Sequence, residues 1–420
     1  MSLKKKKKKE ASGDILIRKF PLRLAESERE LVDRLRIESA RLWNDILDLH
    51  WWLYNVYKLW TNASDKKKWF NAKSHTLHSQ TIQAIIELHE ETCERTKKQR
   101  DEGNKNWKYP WKYKRFFSVK YKKSALSLES NGYLKFSNGG KEKPLYVKKP
   151  KHIDFGSIKN AEIVWHQNEY WLHFGVELTK KEKVTGENNA GGDLGIIHAI
   201  TLSDGKNHLI ISGKELRSLH RLRNKTIAKL QKKISKKQKG SNARYKLILR
   251  KRRFLEKMER KIEYIEHCIS KQVVNWCEEN QIKMLFIGTP EGVQRGTKKK
   301  RKTRNEQRQQ LSNWSFGRLT KLITYKLKLI GTEVLVQEES YTSGTCPKCG
   351  IYTKQSSRNF NCPCGEKGHR DVVGAINILD KGLNGEITKG RNLPKIENTK
   401  YRRVNLVPIA KNKKYKLTVA

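Results

Sequence analysis

Four of the seven cysteines fall between residues 346 and 364, as C-P-K-C at Cys346 and Cys349 and C-P-C at Cys362 and Cys364. A segment this short cannot bury enough apolar surface to fold by itself, so the spacing dictates a metal-nucleated ribbon. Four thiolates suit tetrahedral zinc and leave no open position for a substrate, which makes the expected role structural rather than catalytic, with redox chemistry a weaker rival. No apolar run follows the opening "MSLKKKKKKE", so export and disulfides are not expected. Cys93, Cys268 and Cys277 lie in helix-like stretches and read as packed thiols.

Charge names the class of partner. Lys and Arg total 91 against 43 Asp and Glu, a net +48 spread along the whole chain. Such a surface repels itself unless a polyanion neutralises it, and nucleic acid is the expected one. A membrane surface is disfavoured, because no stretch approaches the roughly 20 apolar residues of a spanning helix. Residues 1–13 read as a disordered basic arm for phosphates, and the expected location is the cytoplasm, with the nucleoid.

Hydrophobic periodicity divides the remainder. Apolar residues recur at three and four from about 26 to 104, a helical stretch whose Trp43, Trp51, Trp52 and Trp60 read as core. Strand-like alternation around Asn-Gly and Gln-Asn turns follows, so residues 14–183 read as a β-barrel module with a helical insertion. Residues 184–340 run strand, strand, helical hairpin, strand, helix, strand, the pattern of an α/β core. The ribbon occupies 341–369, a last core helix 370–381, and a basic tail without periodicity 382–420.

Two acids stand out in this basic chain. Asp193 interrupts the apolar strand "GGDLGIIHAI", where a buried carboxylate is costly unless paired or metal-bound. Asp371 opens the helix "RDVVGAINIL", where a plain helix cap is the competing reading. Phosphodiester hydrolysis by two divalent ions about 4 Å apart needs several carboxylates converging from different elements, so a third acid is expected.

Four segments, "GGDLGIIHAITLSDG", "NEQRQQLSNWSFGRL", "YTSGTCPKCG" and "HRDVVGAINIL", in this order and spacing, resemble the TnpB (OrfB-type) proteins of bacterial transposons, relatives of compact type V CRISPR effectors. The resemblance covers roughly residues 190–380. It implies a multidomain α+β fold: an N-terminal barrel with a helical recognition insertion, then an RNase H-like (RuvC) nuclease domain carrying a zinc ribbon. It also implies a guide RNA derived from the transposon end, double-stranded target DNA, and cleavage beside a short flanking motif at a single magnesium centre holding two Mg2+ ions.

The family's usual second acid follows a strand like "KMLFI", but Gly288 stands there. Some branches with Gly at that point carry a Glu at the end of the next core strand, which makes Glu339 the implied ligand beside Asp193 and Asp371, with Glu291 the alternative. Alternation along the strand sends Glu338 to the opposite face. The second cysteine pair is one residue shorter than the C-x-x-C of the family, so the fourth zinc ligand is Cys364 or, if that thiol cannot reach, His369. Two other readings remain: a nuclease-silent, RNA-guided DNA-binding regulator, supported by Gly288 alone, and a transposase or transposase accessory protein, for which no His-hydrophobe-His plus Tyr constellation is present.

Overall fold

The computed structural model describes residues 15–71, 75–140, 142–166, 168–177, 186–289, 305–355, 357–391, 393, 399–405 and 417–418. Glu291, the arm 1–13 and most of the basic loop 295–308 lie outside the described residues. The fold is mixed α/β and divides into two compact units, Met1–Thr179 with Lys411–Ala420, and Lys180–Ala410.

In the first unit, β1 (Ile15–Arg23) leads into α1 (Glu26–Tyr57), α2 (Ala63–Trp69) and α3 (Ser79–Asp101). Short strands follow: β2 (Val119–Lys122), β3 (Leu126–Leu128), β4 (Tyr133–Phe136) and β5 (Leu145–Lys148), then β6 (Ile158–His166) and β7 (Glu169–Glu177). A five-stranded sheet has the order β16-β1-β7-β6-β2, its edge closed by β16 (Leu417–Thr418) from the far end of the chain, and β3-β4-β5 form a separate antiparallel sheet. The apolar stripe of α1, including Leu35, Leu42 and Ile46, joins Ile82 and Ile85 of α3 and the strand residues Tyr121, Phe136 and Phe174 in one core.

The four tryptophans divide rather than sharing that core. Trp43 is buried and Trp51 half-buried, donating its indole N–H to Pro110 O at 2.9 Å, whereas Trp52 and Trp60 are 53% and 42% exposed. The reason is geometric. Consecutive helix residues point about 100° apart, so Trp51 and Trp52 cannot face one core together. Trp60 lies beyond Lys58, whose left-handed backbone (φ 54°) ends α1.

The second unit is built on a six-stranded sheet. Three strands, β8 (Asn188–Leu194), β9 (His198–Ser203) and β10 (His208–Ser212), form an antiparallel meander. The long hairpin of α4 (Lys214–Ser235) and α5 (Asn242–Glu279) carries the chain to β11 (Ile282–Thr289), which pairs parallel to β8. After α6 (Asn305–Asn313) and α7 (Phe316–Leu329), β12 (Glu333–Glu338) pairs parallel to β11. The hairpin of β13 (Asn359–Asn361) and β14 (Lys367–His369) precedes α8 (Arg370–Asn384), and β15 (Thr399–Arg402) adds to β10. The order is β12-β11-β8-β9-β10-β15. Part of the tail read from sequence as unpatterned is thus an edge strand of this sheet.

Strand alternation sorts the two faces. Leu209 and Ile211 pack with α5 and α7 through Ile265, Ile269, Leu319 and Ile323, while Ile210 packs with Val372 and Ile376 of α8. On β8, Ala190 and Leu194 join the α5/α7 face, so Asp193 is left toward α8. The same parity on β11 assigns Leu285 and Ile287 to the α5/α7 face and Gly288 to the α8 side. Among the described residues no helix is long and apolar enough to cross a membrane.

Candidate metal centre

On the α8 side of this sheet Asp193 feels the charges of both Asp371 and Glu339, but the carboxylate oxygens of the three do not gather within 4.8 Å of one another. Asp193 lies against Gly374, whose added Cβ would stand 3.0 Å from Asp193 Oδ2, so only glycine lets the helix sit this close to the carboxylate. Burial pushes the Asp193 carboxyl well above the ordinary range, and the neighbouring charges of Asp371 and Glu339 push it further. Asp193 is thus the one of the three that the other two raise, and a cation beside it would favour its ionised form.

Glu339 arrives from the residue after β12 and fills the space over Gly288. A Cβ at 288 would stand 3.0 Å from both Cβ and Oε2 of Glu339 and 2.6 Å from Ile378 Cδ1. Burial, and secondarily the charge of Glu338, raises Glu339 from its ordinary 4.5 to about 7. Its Oε2 is a buried oxygen with no hydrogen-bond partner. Such an atom is costly unless a partner binds there, and a cation is one that a carboxylate oxygen fits. Glu338 turns away, exposed, to pair with Lys381 at 2.8 Å.

Asp371 is not the cap of α8. That position belongs to His369, whose Nδ1 accepts from Asp371 N at 3.3 Å. The Asp371 carboxylate is buried and already surrounded by donors: Arg358 Nη1 lies 2.6 and 2.8 Å from its two oxygens, and His198 Nδ1 lies 2.6 Å from Oδ2. Burial alone would raise this group, but the His198 hydrogen bond and the Arg358 charge outweigh it and hold Asp371 below the usual carboxylate range.

The ribbon brings its four thiols together. Cys346 Sγ is 3.7 Å from Cys364 Sγ and Cys349 Sγ is 3.4 Å from Cys362 Sγ, with all four ligand atoms within 4.8 Å of one another. With Zn–S near 2.3 Å, a tetrahedral edge is about 3.8 Å, so the cluster is compatible with structural zinc. The shorter second knuckle closes because Gly365, at φ +90°, donates to Cys362 O at 3.0 Å and turns Cys364 inward. Cys364 therefore joins the set, and His369 faces the carboxylates instead. The tail laces the ribbon: Gly390 N and Arg391 N donate to Lys348 O and Pro347 O, and Arg391 pairs with buried Asp380 at 2.8 Å.

Comparison with known proteins finds likeness over parts of the chain. A family model described as "Probable transposase" (OrfB, IS605 type) matches residues 173–294, and one described as "Cas12f1-like, TNB domain" matches 316–378. A TnpB-like protein of Methanocaldococcus jannaschii is 31% identical over 169 residues, 40% of this chain and 57% of that relative. The chain is similar to the TnpB (OrfB-type) proteins over this part of its length. The CRISPR-associated endodeoxyribonuclease Cas12f2 of a Micrarchaeota archaeon is 30% identical over 156 residues, 34% of this chain and 28% of that protein. In both cases the match spans less than two thirds of the relative. The fold resembles that of Cas12f1 in its complex with sgRNA and target DNA, at a TM-score of 0.62 and 14% identity, over 84% of this chain and 83% of that one.

Sequence reasoning did not single out two residues beside Asp371, His198 and Arg358. A histidine five residues beyond Asp193 in an otherwise apolar strand was the available signal for the first. Arg358 gave none, because an arginine in a short ribbon loop reads as surface charge.

Proposed function

We propose that this chain is an RNA-guided, metal-dependent DNA endonuclease, whose second unit is an RNase H-like nuclease core and whose Asp193, Glu339 and Asp371 hold a pair of magnesium ions. The observation that carries the reading is the partnerless buried Oε2 of Glu339 beside two further carboxylates. When bound, the two ions supply an activated water and a stabilised leaving oxygen for phosphodiester hydrolysis. The protein's share is placement. Glu339 offers an oxygen free of protein donors, Gly374 gives Asp193 room against α8, and His198 orients the Asp371 carboxylate from β9. Four thiols hold structural zinc in the ribbon that delivers Arg358 to Asp371.

Guide RNA and double-stranded DNA are the partners that the charge of +48 favours. Between α4 and α5 a cavity of about 490 Å3 has a largely apolar floor that includes Leu230 and Phe254, with Lys229, Lys232, Lys233, Lys236 and Arg250 around it. The nuclease-silent reading rested on Gly288, and the Glu339 side chain occupies the space where an acid at 288 would stand.

The test is Glu339→Ala in protein reconstituted with RNA from the transposon end and a plasmid target in magnesium. Cleavage is expected to be abolished with RNA and DNA binding retained. Undiminished cleavage by the variant would overturn the assignment and bring Glu291 forward.

A further inference from the structure

The three acids do not account for two imidazoles at the same place. His198 comes from the start of β9 and His369 from the end of β14, and their ring centroids lie 5.2 Å apart. One ligand atom from each, with a carboxylate oxygen of Asp371, lies within 4.8 Å of the others. We propose that His198, His369 and Asp371 form a further divalent site, for an imidazole-preferring transition-metal ion such as Zn2+, which shares Asp371 with the carboxylate centre.

The donor set decides the class of ion. Two imidazoles and one carboxylate suit zinc and its neighbours, whereas oxygen-only ligands suit magnesium. Three protein ligands also leave a fourth position open for water or a phosphate oxygen. The Asp371 carboxylate already holds two donors here, Arg358 and the proton of its hydrogen bond with His198. A metal would take the place of that proton. With zinc–ligand distances of about 2.0–2.1 Å, a tetrahedral edge is about 3.3 Å, so the 2.6 Å separation of His198 Nδ1 and Asp371 Oδ2 must open by several tenths of an ångström. Arg358, a third exposed, is free to release one oxygen toward solvent. His369 would give up its cap on Asp371 N, a long contact of 3.3 Å and therefore a small loss.

Because Asp371 is shared, a zinc ion here competes with magnesium for it. That consequence rests on the endonuclease reading, but the site itself does not, and the experiment needs no RNA, DNA or cleavage. Full-length protein with its cysteine ribbon zinc-loaded is titrated with Co2+ and followed by visible absorption, where nitrogen and oxygen ligation gives d–d bands without the thiolate charge-transfer bands of the ribbon. One further equivalent is expected to bind. His198→Gln and His369→Gln should each weaken it by more than about tenfold, a loss seen even when only an outer partner of a ligand is removed. Circular dichroism and melting report whether each variant is folded, and if His369→Gln is not, His198→Gln decides. No uptake beyond the ribbon, or uptake unchanged in the folded variants, overturns the proposal.

Discussion

If Glu339 occupies the place of an acid at 288, the two positions exclude each other, and the exclusion is measurable. An added Cβ at Gly288 meets Ile378 Cδ1 at 2.6 Å, roughly 1 Å inside comfortable carbon contact, and Glu339 Cβ at 3.0 Å. Ile378 is fully buried on α8, so it cannot swing into solvent to make room. Gly288→Ala should therefore cost about 1–3 kcal/mol of overpacking, which for a unit of this size lowers the melting temperature by roughly 2–12 °C. It should also push Glu339 off its position and reduce cleavage out of proportion to the lost stability. Removing the Glu339 side chain relieves two of the three close contacts. Gly288→Glu in the native background should be inactive, and the exchange Gly288→Glu with Glu339→Gly should regain part of the activity. The assay is magnesium-dependent plasmid cleavage with bound guide, alongside thermal melting. A fully active Gly288→Glu single variant, or an exchange variant no better than Glu339→Gly alone, would refute the argument.

Asn377 on α8 is fully buried and donates to Thr342 O at 2.7 Å and Thr345 O at 2.8 Å, fastening the start of the ribbon to the core. Asn377→Leu should cost about 1–3 kcal/mol for each carbonyl left without a donor, and hydrogen exchange should show residues near the first cysteine pair losing protection. The raised carboxyls predict a pH dependence. Metal binding needs Glu339 and Asp193 ionised, so magnesium affinity should weaken as pH falls through about 7, with protons released on binding at that pH. Without metal the sign reverses for stability: the folded Glu339 binds a proton more tightly than the unfolded chain does, so stability should decline as pH rises from about 4.5 to about 7. Calorimetric titration and melts in chelator check both.

The fold was legible where periodicity was long. The α4–α5 hairpin, the core strand sequence and the two-residue distinction between Glu338 and Glu339 all follow from apolar spacing and strand alternation. Three features were not. β15 is four residues long and takes its place from pairing with β10, an interaction no local pattern encodes. Trp52 and Trp60 are as apolar as Trp43, and only helix phase and the end of α1 separate them. The closure of the shorter cysteine knuckle depends on one left-handed glycine, Gly365.

The candidate acids were legible one by one, and their charge balance was not. Asp193 announced itself by standing inside an apolar strand, Asp371, at a helix start, read equally well as a cap, and Glu339 was indicated only by the resemblance to the TnpB proteins. What the sequence could not convey is that the three are treated differently by their surroundings. Asp371 is held ionised by Arg358 and His198, while Asp193 and Glu339 are pushed toward their neutral forms. A cation bound among them would supply the missing partner of Glu339 and relieve the repulsion felt at Asp193, in competition with the protons that these two raised carboxyls hold. A cation on Asp371 would compete with Arg358 for the same two oxygens, which would couple the ribbon loop that carries Arg358 to metal loading.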